Sequence, residues 1–555
     1  MFTVLELDGS APDKTARAKA AAGSEPVIEA SNNRISVQIS GRPRLSSTAS
    51  SVDFEPISFI ELFTKVGVAA FDRLDGQFAI ALFDSIHRTA YLARDPFGTI
   101  PLYRARGANW LAYSVSAADL LLLDELVSEY DESAIAYFLR EGWAPPFTTF
   151  HKTVRPVRPG YLEIVSPQAQ QIRRLEPKPR DYPVPTRTCD PRELLSRIRR
   201  AVRDSGPVES RRIGITLSGG IDSAAITALL REAYPGERLH SFTVGYGSED
   251  PEIRGARATA SYFGTDHHEL FVGPSDIRDR IEETVTILGN PGGYDELPCL
   301  SALWSLAARH VDVLYSGNVS DAIFAGMSTH RRLWRHKMEE RYLRPLGIKR
   351  VADQSYHHKA ERDSEPCAVV GHEGIPAGFE HWLGHASTLF EALASDLETW
   401  DERTGAQTLL ARHYGIELRT PFAHKQLIDF ALRMPDSDKV NVFGVKRLFR
   451  RSLRSVLPAS IRYRRKGIQH LRYDAEMQSM LIGLLEHYLP ADAIRHRGVL
   501  APSSIDKIKA DVRYALAPTN FRYAWNAILF EIWCRTFVDG RVGVARRQIP
   551  VAMSG

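Results

Sequence analysis

Apolar positions change their period once along the chain. Before residue 175 the clearest apolar runs are short and bounded by turn residues. Residues 76–84 (GQFAIALFD) and 90–93 lie among Asp75-Gly76 and Asp95-Pro96-Phe97-Gly98, and 110–116 and 160–165 have the same form. Such runs predict strands, and helical spacing predicts helices over 57–66 and 132–140. Beyond residue 192 the pattern alternates. RIGITL at 212–217 reads as a buried strand, 224–232 as a helix, 239–246 as a strand and 311–316 as another. Between them, 253–263 places Ile253, Ala256, Ala260 and Phe263 on one helical face. From 391 onward the chain reads as mainly helical, most clearly at 404–414, 425–434 and 446–456.

The two patterns meet at EPKPRDYPVPTRTCDP, residues 176–191, which holds five prolines. Proline removes a backbone donor and fixes φ, so this stretch cannot continue a helix or a central strand. The expected organisation is a domain over 1–180, a linker at 181–191 and a second domain over 192–545. The expected fold class is α/β: an α+β domain on antiparallel sheet, then a doubly wound parallel-sheet domain.

Composition narrows the function without naming it. The 555 residues are 44% hydrophobic and 25% charged, which fits more than one globular domain and excludes a mainly disordered chain. Lys plus Arg (71) against Asp plus Glu (67) leaves +4, too small an excess to suggest nucleic acid. The four cysteines, Cys189, Cys299, Cys367 and Cys534, are far apart, so sequence neighbours build no zinc pair or disulfide framework. No apolar stretch reaches the roughly 20 residues of a membrane span, and the first twenty residues hold no signal-peptide core. A soluble cytoplasmic protein without nucleic-acid or membrane partners is expected.

The chemistry sits where a strand hands over to a helix. Ser218-Gly219-Gly220-Ile221-Asp222-Ser223 follows the strand at 212–217 and opens the next helix. Paired glycines allow close backbone approach, and free N–H groups at a helix start, with serine hydroxyls, suit phosphate oxygens. The plain alternative is a glycine turn. Asp222 cannot serve phosphate directly, but it fits Mg²⁺ beside a polyphosphate. Asp321, in Ser316-Gly317-Asn318-Val319-Ser320-Asp321 after the strand at 311–316, is the expected second ligand; its alternative is an N-cap. His267-His268-Glu269 fits a half-buried strand better than a metal motif, and 330–350 reads as an exposed amphipathic helix.

SGGIDS at 218, SFTVGY at 241, GTDHHEL at 264, SGNVSDAIFAGM at 316 and GIELRTPFAHKQLIDFAL at 415 together resemble N-type ATP pyrophosphatases. LDGQFAIALFD at 74 and ARDPFGTIPLYR at 93 resemble the amidotransferase domain of asparagine synthetases. In this order the motifs identify the chain as a member of the asparagine synthetase superfamily, which includes β-lactam and carbapenam synthetases and lasso peptide cyclases. The resemblance implies a degenerate N-terminal nucleophile hydrolase fold followed by an ATP pyrophosphatase domain. It implies ATP and Mg²⁺ as cofactors. Leu217, Ser218, Gly219, Gly220, Asp222, Ser223, Val244 and Gly317 are the implied nucleotide contacts, and Asp222 and Asp321 the implied metal ligands. Lys446 and Lys466 resemble the two lysines that meet the polyphosphate in β-lactam synthetases, one of which also stabilises acyl transfer; a solvated basic surface around Arg462, Arg464 and Arg465 is the alternative.

Two departures matter. Glutamine-dependent members carry cysteine as residue 2, whereas this sequence reads Met1-Phe2-Thr3 and has no cysteine before Cys189. Glutamine hydrolysis is therefore not expected; Thr3 or Ser10 would need further processing to replace the thiol. Asn318 stands where asparagine synthetases have glutamate and β-lactam synthetases a tyrosine paired with a glutamate, and Glu402 is the candidate for that glutamate. Asparagine cannot act as a base. The expected reaction adenylates a substrate carboxylate and passes it to an amine, in a small molecule or precursor peptide. Closing a peptide macrolactam is favoured, because an α-amine with pKa of about 7.7–8.0 needs no strong base. A partner protein delivering the peptide fits that reading. A β-lactam-type synthetase, an ammonia-dependent asparagine synthetase and a non-catalytic nucleotide-binding scaffold remain open.

Overall fold

The structure is a computed structural model describing residues 2–6, 28–32, 34–46, 51–124, 126, 129–175, 188–206, 211–290, 292, 294–342, 386, 388–399, 401–464 and 472–540. Most of the proline-rich segment and all of His357-His358, Cys367 and Lys466 lie outside these residues.

The N-terminal part is built from antiparallel sheet. Gln170–Arg174, Tyr161–Val165, Thr89–Arg94, Leu74–Asp84, Ile35–Ser46 and Ile28–Ser31 run side by side, with Ser51–Asp53 also on Ile35–Ser46. A smaller sheet orders Phe2–Glu6, Trp110–Ser114, Tyr103–Arg106 and Arg155–Pro156. The continuous apolar run GQFAIALFD is explained by its place between layers. Phe78, Ile80 and Leu82 face the core under the helix Pro56–Val66, while Ala79 and Ala81 face the second sheet through Leu5, Leu111 and Tyr113. A strand buried on both faces loses the polar half of its alternation. The strand Ile35–Ser46, beyond the sequence reading, pairs along Leu74–Asp84 from Ile35↔Asp84 to Leu45↔Leu74.

The C-terminal part holds a five-stranded parallel sheet. Its order is Asp266–Phe271, Leu239–Gly245, Ile213–Thr216, Val313–Tyr315 and Glu417–Arg419. Helices cover both faces, so Ile213 and Ile215 enter one core while Phe242 and Leu314 enter the other. The chain after 391 is mainly helical, and the strand Glu417–Arg419 is the part of it that joins the parallel sheet. At three residues it is too short to show a period, and its sheet neighbour, not its own sequence, makes it a strand. The expected helix over 446–456 is shorter, Arg447–Ser452 followed by a 3₁₀ turn at Leu453–Ser455. The helix expected over 330–350 is Ser328–Tyr342 in its described part, and His330 on it is buried, not exposed.

Chain order sets where a ligand can sit. From Ile213–Thr216 the chain builds outward to Leu239–Gly245 and Asp266–Phe271, then returns to the other side as Val313–Tyr315. The order reverses between Ile213–Thr216 and Val313–Tyr315, and the loops at their carboxyl ends border a crevice. Those two loops carry SGGIDS and SGNVSD.

Candidate active site

Both loops close tightly on each other. A Cβ on Gly317 would lie 3.0 Å from Ser223 N and 3.1 Å from Asp222 Cβ, so only glycine lets the second loop approach the first this closely. Gly219 is similarly pressed against the backbone of Pro251 and Glu252, and its N–H donates to Glu252 Oε2 at 2.9 Å. Ser218 and Ser223 bond to each other, Oγ to Oγ at 3.0 Å, while Gly220 N–H donates to Ser218 Oγ at 3.2 Å. The loop is thus held open by its own hydroxyls ahead of the helix Ile221–Ala233, whose first-turn N–H groups and dipole favour an anion. Leu217 is buried and donates its N–H to Phe242 O at 2.8 Å, tying the loop to the neighbouring strand.

Asp222 and Asp321 converge on one ammonium. Lys446 Nζ lies 2.5 Å from Asp222 Oδ1 and 2.6 Å from Asp321 Oδ1, with the lysine side chain 3% exposed. Ser320 completes the cluster, donating to Asp222 Oδ1 at 2.6 Å and accepting from Lys446 at 3.2 Å. The sequence reading placed Lys446 against polyphosphate; here it also bridges the two carboxylates expected to hold metal. Two carboxylates this close repel unless a cation lies between them. The donor set therefore suits a cation by its own chemistry, and an ion bound there would share or displace the lysine.

The backbone is strained around this cluster. Val319 (φ 72°), Ala325 (φ 56°) and Lys446 (φ 56°) adopt left-handed conformations, three of five such non-glycine residues among those described. Each costs of order 1–3 kcal/mol and persists only where surrounding contacts over-determine it. Gly326 shows why space is short: a Cβ there would fall 2.0 Å from Asp321 Oδ1 and 2.2 Å from Lys446 Cε.

Asn318 pairs with a residue the sequence reading missed. Its Nδ2 donates to Gln407 Oε1, and Gln407 is buried on the helix Asp401–His413. The backbone of Glu402 is on the same helix, but its side chain lies outside the described residues. Ser320 and Gln407 carried no legible signal, because their partners lie 98 and 89 residues away.

A cavity of about 550 Å³ opens beside the loop, lined in part by Val244, Tyr246, Glu252, Cys299 and Arg472. Burial pushes the Cys299 thiol up to about 12, so it is no thiolate near neutral pH. Of the arginines before Lys466, Arg462 and Arg464 are not solvated surface, and Arg465 lies outside the described residues. Arg462 is buried and donates to Leu457 O at 3.0 Å, and Arg464 donates to Gly255 O at 2.5 Å, where Gly255 abuts Gly219. Lys466 itself lies outside the described residues.

The asparagine synthase family model matches residues 193–535, a span containing every member of this cluster. The chain belongs to the asparagine synthase family. It is an ATP-dependent carbon–nitrogen ligase. A glutamine amidotransferase domain model matches residues 44–176, across most of the larger antiparallel sheet. A putative glutamine-hydrolysing asparagine synthetase of Mycobacterium bovis is 26% identical over 542 residues, covering 88% of this chain and 81% of that protein. Glutamine-hydrolysing asparagine synthetase 1 of Bacillus subtilis is 25% identical over 538 residues, covering 87% and 80%. Within the asparagine synthase family match, the carboxylates, the lysine and the amide pair come from four separate segments. No helix among the described residues is long and apolar enough to cross a membrane.

Proposed function

We propose that this chain uses ATP to adenylate a substrate carboxylate and transfers the acyl group to an amine that is not ammonia from glutamine, closing a macrolactam in a peptide. The observation that carries the reading is the neutral Asn318–Gln407 pair beside the Asp222–Asp321–Lys446 cluster. Two carboxamides take up no proton at working pH, so the pair positions a nucleophile without deprotonating it. That arrangement favours an amine already partly neutral, such as a peptide α-amine with pKa of about 7.7–8.0, over an alkyl amine.

The substrate carboxylate displaces pyrophosphate from the α-phosphorus of ATP. The amine then attacks the activated carbonyl and AMP leaves. The SGGIDS loop, Val244 and Gly317 would hold the nucleotide, and Asp222 and Asp321 would hold Mg²⁺. Bound there, the ion would offset charge on the departing pyrophosphate. Lys446 and Lys466 contribute ammonium groups where charge builds on phosphate and carbonyl oxygens.

Independence from glutamine rests on the thiols. Residues 1–188 contain no cysteine. Burial raises Cys189, Cys299 and Cys534, so none of the three favours the thiolate form. Thr3, a substitute considered from sequence, is buried and donates to Gln38 Oε1 at 2.9 Å; Ser10 lies outside the described residues.

The test is ATP–pyrophosphate exchange with peptide carboxylates, followed by mass analysis for loss of water from the peptide. Exchange with a peptide and a cyclised product support the reading. Exchange with aspartate alone and asparagine formed from ammonium salts would replace it with an ammonia-dependent asparagine synthetase.

A further inference from the structure

Three histidines gather at the end of the parallel sheet opposite the nucleotide loop. His240 begins the strand Leu239–Gly245, His268 lies on Asp266–Phe271, and His310 precedes Val313–Tyr315. The register pairs His240 with Asp266 and Phe242 with His268, so His240 and His268 stand on one face near the amino ends of parallel strands. Asp222 and Asp321 follow the carboxyl ends of strands, so the two sites are separate. His267, beside His268, faces the other way and bonds Ser241 at 2.8 Å. The His267-His268 pair therefore contributes one imidazole here, and the other two come from distant segments.

The three rings pack together, with centroids 5.4 Å apart for His240–His268 and 4.2 Å for His268–His310. His240 Nδ1 lies 3.1 Å from His268 Nε2, and one nitrogen from each of the three rings lies within 4.8 Å of the others. Asp266 borders the same nitrogens, Oδ2 at 3.6 Å from His240 Nδ1 and Oδ1 at 3.9 Å from His268 Nε2. Arg238 pairs with Asp266 from outside and fixes the carboxylate. Phe242 stacks on His268 at 4.8 Å and closes one side. Burial, reinforced by neighbouring imidazoles and opposed by Asp266, holds His240 and His268 below the ordinary histidine value. Neutral imidazole is the form that offers a lone pair to a metal.

We propose that His240, His268 and His310 bind a divalent transition metal of the Zn²⁺ class, with Asp266 as fourth ligand. Zn–N bonds of about 2.0–2.1 Å in a tetrahedron set the nitrogens about 3.3–3.4 Å apart. At 3.1 Å the His240–His268 pair lies within about 0.3 Å of that spacing, and His310, half-buried on a turn, closes the remaining distance by a side-chain shift. With four protein ligands the site is structural: it ties two neighbouring strands to the turn that leads into Val313–Tyr315. The site does not depend on the ligase reading.

The test uses the full chain without a histidine tag, stripped with a chelator. Zn²⁺ is titrated against a chromophoric competitor, and Co²⁺ is followed by its d–d absorption. The wild type takes up one tight equivalent of Zn²⁺ and gives a tetrahedral Co²⁺ spectrum. His268→Gln and His310→Gln each weaken uptake by more than about 100-fold, and Arg238→Gln, which frees Asp266, by about 10–100-fold. Asp222→Asn leaves uptake unchanged. Circular dichroism confirms folding, and His310, half-buried on a turn outside the strands, guards against loss of fold. No tight equivalent in the wild type, or undiminished uptake in both histidine variants, overturns the site.

Discussion

Lys446 Nζ stands 2.5 Å from Asp222 Oδ1, a contact between residues 224 positions apart. With Asp321 at 2.6 Å on the same ammonium, one lysine offsets part of the charge of two carboxylates and leaves a net negative pair. Lys446→Ala should therefore lower melting temperature without ligand, because the two carboxylates then lose the ammonium between them. Millimolar Mg²⁺ should restore much of that loss in the variant and do less for the wild type, since a ligand of the folded state stabilises by mass action. A melting temperature in Lys446→Ala indifferent to Mg²⁺ would remove the carboxylate pair as a cation site. Pyrophosphate exchange should fall by about 10²–10³ in the same variant. Asp222→Asn and Asp321→Asn should each lose Mg²⁺-dependent exchange while remaining folded.

Gly326 carries no chemistry of its own, yet a Cβ there would overlap Asp321 Oδ1 and Lys446 Cε. Gly326→Ala should abolish exchange as fully as a carboxylate variant. Gly483 lies inside the helix Ala475–Tyr488 with nothing within 4 Å of a Cβ, so Gly483→Ala should keep activity and gain up to about 1 kcal/mol of helix stability. Equal activity of the two alanine variants would contradict the packing at Asp321.

Lys466→Ala should reduce turnover about 10²–10³-fold at saturating ATP, with little change in nucleotide affinity, if it acts on charge that develops in the transition state. Lys466→Arg should not restore it, because the guanidinium presents its donors in a fixed plane. Arg464 holds Gly255 against the nucleotide loop, so Arg464→Ala should raise the KM for ATP instead. Arg454 is exposed, so Arg454→Ala serves as the neutral comparison.

Glu417 joins the two parts of the chain through Arg42, at 2.7 Å, and also meets Arg211 and Arg419. Burial alone would raise its carboxyl, but the charges of Arg419 and Arg42 and their hydrogen bonds hold it well below the carboxylate range. A carboxyl depressed in the fold gives its full stabilisation above the unfolded value of about 4.3 and loses it as pH falls below that. Glu417→Gln should melt earlier than wild type at pH 7, and the gap should narrow as pH drops below about 4.3. A gap constant from pH 7 to pH 3 would show that Glu417 does not titrate as argued.

Purified wild-type chain should release no glutamate from glutamine above an enzyme-free control. Release at a rate matching amide formation would show that another group performs the thiol's work.

The sequence alone determined what local period and local chemistry can carry. The strand read at 76–84, the helix read at 57–66, the strand–helix handover at SGGIDS and the second loop at SGNVSD were legible because their signals lie within a dozen residues. Ordered motifs then identified the superfamily, since they report side-chain types without needing contacts. Tertiary structure decided the rest, for one physical reason: a contact between distant segments leaves no periodic trace in either. The strand Glu417–Arg419 exists because Val313–Tyr315 offers it a ladder. Gln407 matters because it meets Asn318, and His310 because it meets His240 and His268. Lys446 read from sequence as a lysine that meets polyphosphate; only the fold encloses it between two carboxylates, which compensate its charge while its left-handed backbone is held in place.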